Sequence, residues 1–147
     1  MPDQLNSISP LDGRYNKDAA VLSHYFSESA LMRYRMQIEV EYLIALSNEN
    51  KIAALPPIPK TLQSTLRKLY EKFDSRSARR IKKIETQTNH DVKAIEQYIS
   101  EKLQKINLSK FIPWVHFGLT SEDVNNIAYS LMWQDGIKYV YLPKLNA

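Results

Sequence analysis

Apolar residues recur along this chain at intervals of three and four, the spacing that places them on one side of an α-helix. The clearest run follows Ser27. Leu31, Tyr34, Ile38, Tyr42 and Ala45 share one face, while Met32, Met36, Val40 and Leu43 form a second stripe. Ser27 suits the cap of a helix that the pattern carries to about Ser47. A helix apolar on two sides is expected to pack on two sides. A shorter helical pattern begins near Lys17 and falters around Ser27-Glu28-Ser29.

Pro56, Pro57 and Pro59 hold a connection from Asn48 to Lys60. Thr61 is the expected cap of a helix bearing Leu62, Leu66, Leu69 and Phe73, and Ser75 the cap of one bearing Ala78, Ile81 and Ile84. The polar, partly β-branched Thr86-Gln87-Thr88-Asn89 is expected to break that helix. The next carries Val92, Ile95, Ile99 and Leu103, with Thr88 and Asp91 at capping-box spacing. Residues 105–119, with Pro113 and Gly118, read as irregular. Thr120-Ser121-Glu122-Asp123 then opens a last helix bearing Val124, Ile127, Ala128, Leu131, Ile137 and Tyr141. From Ser121 to Leu142 it would be roughly 33 Å long at 1.5 Å per residue. Gly136 inside it is expected to cost about 1 kcal/mol relative to Ala.

No segment alternates with period two between hairpin turns, so the expected fold is all-α. Its expected parts are an irregular arm at 1–16, rich in the turn formers Asn6, Ser7, Ser9, Pro10, Asp12 and Gly13, a helical domain at 17–119, and the start of a long helical bundle at 120–147. The amphipathic pattern runs up to the end, and Pro143 suits the first turn of a following helix. The expectation is therefore that the protein continues beyond Ala147.

Composition narrows the setting. There are 147 residues, 44% of them hydrophobic and 24% charged, enough for one domain with a core. The absence of cysteine excludes disulfides and thiolate metal sites. The polar start Met1-Pro2-Asp3-Gln4 is unlike a signal peptide, and no apolar stretch approaches the roughly 20 residues of a membrane span. The expectation is a soluble, cytoplasmic protein with no membrane partner. The formal charge of +4 owes much to Arg76, Arg79, Arg80, Lys82 and Lys83. Ile81 and Ile84 alternate with these charges, which favours a solvated helix face over a nucleic-acid patch.

Three polar clusters carry candidate chemistry. In Ser9-Pro10-Leu11-Asp12-Gly13-Arg14-Tyr15, Arg14 offers a planar fork of donors for phosphate or carboxylate, and Tyr15 adds a hydroxyl. The bland alternative is an exposed surface arm. Thr88-Asn89-His90-Asp91-Val92 sits at an expected helix N-terminus, where free amides and the dipole attract anions. His90 could donate to an anion or shuttle a proton, and simple capping is the alternative. His116-Phe117-Gly118-Leu119-Thr120-Ser121-Glu122-Asp123-Val124-Asn125-Asn126 stands at another helix start. There Thr120 and Ser121 suit a carboxylate, and Asn125 and Asn126 are poor interior helix residues. An ordinary cap with two surface Asn remains the alternative. His24 reads as structural or exposed. The three His are far apart and lack carboxylates at ligand spacing, so no metal site is expected. Neither a phosphate-cradling Gly-rich loop nor a nucleophile elbow is present.

In this order the clusters resemble the fumarase/aspartase superfamily. Its first signature core, Thr-Ser-x-Asp-x-Asn, is matched by Thr120-Ser121-Glu122-Asp123-Val124-Asn125. Asp12-Gly13-Arg14-Tyr15 and Thr88-Asn89-His90-Asp91-Val92-Lys93 narrow the likeness to its adenylosuccinate lyase family. That resemblance implies β-elimination of fumarate from adenylosuccinate and from a succinylated imidazole carboxamide ribotide, with no metal or organic cofactor. It implies a homotetramer with active sites assembled from three subunits. By analogy Arg14 and Tyr15 would hold the phosphate, Thr120 and Ser121 a succinyl carboxylate, and Asn89, His90 and Asp91 the nucleotide. His116 and Asn125 would lie nearby. The family's catalytic Ser loop and acid-bearing Thr-His-Gly stretch do not occur in these residues. The chain alone is thus expected to bind rather than to move protons. Other readings are a different lyase of the superfamily, such as argininosuccinate lyase, a helical nucleic-acid-binding module around Arg76–Lys83, or a non-catalytic helical interaction domain.

Overall fold

Ser27 lies in an extended conformation, and its side-chain oxygen accepts a hydrogen bond from the Ala30 amide at 3.1 Å. This starts α3, Glu28–Ser47, where the spacing placed it. The computed structural model of the chain describes residues 4–49 and 51–146, so Met1–Asp3, Asn50 and Ala147 lie outside the described residues. The described part of the expected 1–16 arm has a short 3-10 turn at Gln4–Asn6, and successive turns through Tyr15 follow. The small helices α1, Asn16–Ala19, and α2, Ser23–Phe26, lead into α3.

The two apolar stripes of α3 face two layers. Met36, Val40 and Leu43 join a core with Leu66, Ile81, Ile84, Ile95, Ile99, Leu103 and Phe111. Ala30, Tyr34 and Ile38 join another with Val124, Ala128 and Met132. The first core is built by α4 (Lys60–Glu71), α5 (Ser75–Thr88) and α6 (Asp91–Lys105), and the second by α7 (Ser121–Gly136). Every described element is helical or a turn; no strand occurs among the described residues.

Several boundaries differ by a residue from the expected ones, each for a local reason. Thr61 does not cap α4: the Pro59 carbonyl accepts from the Leu62 and Gln63 amides, and no side chain caps the helix. Asp74, not Ser75, caps α5, its Oδ1 accepting from the Ser77 amide at 2.8 Å. That helix does not break at Thr86, whose hydroxyl donates to the Lys83 carbonyl within it. It ends when Asn89 turns left-handed at φ 52°, a conformation Asn tolerates. His90 then caps α6, with Nδ1 accepting from the Lys93 amide at 3.1 Å. No Thr88–Asp91 capping box forms, because the Thr88 hydroxyl donates to the His90 carbonyl. Two residues thus join α5 and α6 into a helical hairpin. The stretch expected to be irregular contains a 3-10 segment, Ser109–Trp114, that buries Phe111.

Thr120 caps α7 as expected. The Thr120 amide and hydroxyl donate to Asp123 Oδ2, and the Asp123 amide donates back to the Thr120 oxygen, a full capping box. Past Gly136 the helix widens into a π segment, Ile137–Tyr141, and resumes as α8, Leu142–Leu145. Pro143 stands in the first turn of α8. In an unbroken α-helix its ring would press on the Tyr139 carbonyl, and the wider turn before it relieves that contact. Gly136 is not a mere cost to the helix. A Cβ there would meet the Phe26 ring at 2.7 Å, so its absence seats α2 against α7.

Candidate functional site

Arg35, Glu39 and Tyr42 stand at i, i+4 and i+7 on α3, a polar row between its two apolar faces. Arg35 is 5% exposed and Glu39 1%. Buried charges need partners, and theirs are in two of the clusters picked out above. Arg35 Nη2 pairs with Asp91 Oδ2 at 2.7 Å, and its Nε donates to Asn125 Oδ1 at 2.9 Å. One guanidinium therefore ties the start of α6 to the first turns of α7. Four residues on, Glu39 Oε1 lies 2.5 Å from His116 Nδ1. Tyr42 donates to the Phe117 carbonyl at 2.9 Å.

These contacts fix the turn before α7. His116 has φ 59° and Gly118 φ 73°, both left-handed. The His116 ring lies between Glu39 and Glu96 of α6, whose Oε1 is 4.0 Å from Nε2. Glu96 also pairs with Lys93. Thr120 and Ser121 open α7 immediately beyond.

The second cluster borders a cavity of about 440 Å³ lined by Lys82, Glu85, Thr86, Asn89, His90 and Asp91. Lys82, which the sequence placed only in a charged face, adds a cation there, paired with Glu28 and Glu85. The His90 side chain is half-exposed even as it caps α6.

The carboxyl groups respond to their surroundings in opposite senses. Burial pushes Glu39 above its ordinary range, against the hydrogen bond and charge of His116. Burial also works against ionised Asp91, but the Val92 amide, Arg35 and His90 outweigh it and hold that carboxyl low. The Thr120 amide and hydroxyl keep Asp123 low.

Arg14 and Tyr15 are not brought to this place. Both are exposed; Arg14 lies over the Tyr15 ring and donates to its hydroxyl at 2.8 Å. Leu11, Asp12 and Asn16 on either side of them line a larger, mainly apolar cavity of about 820 Å³ with Trp133, Gly136, Ile137 and Tyr141. Those residues belong to the far end of α7 and the π segment, roughly 20 Å along the helix from Thr120. Within the chain, the second and third clusters are joined and the first stands apart.

Residues 13–147 match the sequence model of a family described as lyase. The chain belongs to the lyase family. It is 42% identical over 146 residues to adenylosuccinate lyase of Dictyostelium discoideum, an alignment covering 97% of this chain and 31% of that one. To adenylosuccinate lyase of Legionella pneumophila (strain Corby) it is 41% identical over 142 residues, 96% of this chain and 31% of that one. To the enzyme of that name from Escherichia coli (strain K12) it is 38% identical over 140 residues, 95% and 31% respectively. The chain therefore spans 31% of the length of these curated relatives.

For a lyase-family chain, the joined clusters offer two helix N-termini, those of α6 and α7, held close by one arginine. Such termini present free amides and a positive dipole end to anions. Reasoning from the sequence missed Arg35, Glu39 and Tyr42, which carry the junction. The signal was present as Arg35 and Glu39, one turn apart on a helix apolar on two sides. The basic run is largely matched by acids: Arg76 pairs with Asp74, Arg80 with Glu101 and Lys82 with Glu28 and Glu85. Among the described residues, no group of His, Asp and Glu is placed to hold a metal ion, and no helix is long and apolar enough to cross a membrane.

Proposed function

We propose that this chain supplies part of the substrate-binding surface of an adenylosuccinate lyase. In this reading a C–N bond of adenylosuccinate is cleaved to release fumarate and AMP. A succinylated aminoimidazole carboxamide ribotide is cleaved in the same way, so the enzyme serves purine nucleotide biosynthesis in the cytoplasm. The observation that carries it is the Arg35 tie between Asp91 and Asn125. It sets side by side two helix starts whose residues match the family's signature stretches. The substrate carries a phosphate and two carboxylates, which suits helix N-termini, hydroxyls and the exposed guanidinium fork of Arg14.

Thr120 and Ser121 take a succinyl carboxylate. Asn89, His90 and Asp91 line the nucleotide, with His116 and Asn125 next to them. Arg14 and Tyr15 take the phosphate. Because they lie at the other end of α7, they complete the site of a neighbouring subunit in a homotetramer. The base that removes the proton beside the carboxylate and the acid that protonates the departing nitrogen come from outside this stretch. No cofactor is required.

The test is fumarate release by the complete polypeptide that carries this chain, with adenylosuccinate and argininosuccinate offered separately. Cleavage of adenylosuccinate alone is expected; cleavage of argininosuccinate alone overturns the assignment. Arg14→Ala should raise KM by about tenfold or more, the loss of a charge-assisted contact. Unchanged kinetics would remove Arg14 from the site.

A further inference from the structure

Glu39 is the most deeply buried carboxyl group on α3, and only one of its two oxygens is used. Oε1 meets His116, while Oε2 has no hydrogen-bond partner among the described residues. A buried carboxylate left half-satisfied lowers stability, and a hydrophobic residue of similar size would be the more stable choice. His116, its partner, holds a left-handed backbone, a conformation uncommon for a non-glycine residue. The Tyr42 hydroxyl clamps the next carbonyl. Two locally unfavourable features thus meet in one contact, at the turn that leads into α7.

We propose that Glu39 is a positioning residue whose carboxylate fixes the His116 ring as the Nδ1–H tautomer, leaving Nε2 as the ring's acceptor for a hydroxyl or N–H of a bound nucleotide. An ionised carboxylate only accepts hydrogen bonds, so the nitrogen facing it must carry the proton. The other tautomer would place a bare nitrogen against the carboxylate, and turning the ring over would put carbon Cδ2 there and give up the contact. On its other sides His116 meets Glu96 of α6, itself paired with Lys93, and the field of Asp123 in the first turn of α7. Nε2 faces Glu96 Oε1 at 4.0 Å, beyond hydrogen-bond reach, while Lys93 pairs with the other Glu96 oxygen. The choice of substrate rests on the lyase reading; the tautomer does not.

Glu39→Gln separates positioning from support of the fold. Glutamine keeps the size and one acceptor, but its amide can also donate, so both ring tautomers become possible. The protein is labelled with 15N-histidine and the His116 ring is read by NMR, its signals assigned by their loss in His116→Gln. Thermal unfolding and fumarate release from adenylosuccinate are measured on the same complete polypeptide. The expected result is an Nδ1–H ring in the wild type and a mixed or inverted ring in Glu39→Gln. Melting should not fall, and kcat should drop roughly tenfold or more with little change in KM, as for a misaligned group. An Nε2–H ring in the wild type, a ring signature unaltered by the substitution, or undiminished turnover despite an altered ring would each overturn the proposal. If the wild type releases no fumarate, the lyase reading fails, while the ring signature still decides the role of Glu39.

Discussion

Arg35 does what neither hydrophobic pattern nor capping could do: it holds two helix starts in register through one planar group. Arg35→Leu keeps the bulk and deletes both contacts. Because Asp91 is half-exposed, the loss is expected to be about 1–2 kcal/mol by denaturant unfolding, the range for partly screened charged hydrogen bonds. The acids nearby should leave opposite marks on the pH dependence of stability. Glu39 titrates higher in the fold than its ordinary value near 4.5. Stability is therefore lost as pH rises through the folded value, and Glu39→Gln should raise the melting temperature at pH 7 but little at pH 4. Asp91 and Asp123 titrate lower than 3.8, so their contribution is present above that pH and fades as pH falls through their folded values. Parallel melts of wild type and variant across pH 3–8 would check both signs. The candidate residues at the helix starts were legible as types and spacings. Their anchors were not, because Arg35 and Glu39 gain meaning only when helices distant in sequence face them.

The elements themselves were readable where a single side chain decides. Ser27 and Thr120 cap α3 and α7 because each has a short hydroxyl directly before an amphipathic run. Thr120→Ala should cost about 1 kcal/mol by removing one half of the capping box. Where two neighbours could cap, the pattern alone did not choose, and Asp74 and His90 took places expected of Ser75 and Thr88. Gly136 shows the same limit. Helix propensity favours Gly136→Ala by about 1 kcal/mol, but the new methyl meets the Phe26 ring. Overpacking wins, and a net loss of about 1 kcal/mol or more is expected in thermal unfolding. The double variant with Phe26→Leu should recover part of it, since the clash and the helix gain are separate terms.

Taken as a whole, the molecule is organised around α3, which stands between a three-helix layer and α7. That much followed from two apolar stripes on one helix. The separation of the candidate site into two ends of α7 did not, since sequence order says nothing about the distance between clusters. The Arg35 junction gathers one part, and the arm with Arg14 stands roughly 20 Å away along α7. A site of this layout works only if a second subunit brings the arm across. The most direct measurement mixes two impaired variants of the complete polypeptide, Arg14→Ala and Ser121→Ala, after unfolding and refolding them together, and reads release at adenylosuccinate well below the wild-type KM. Shared sites should regain fumarate release well above either variant alone, because some sites then draw an intact arm and an intact helix start from different subunits. Release no higher than the mean of the two would contradict a site built across subunits, and with it the account of these clusters as parts of one binding surface.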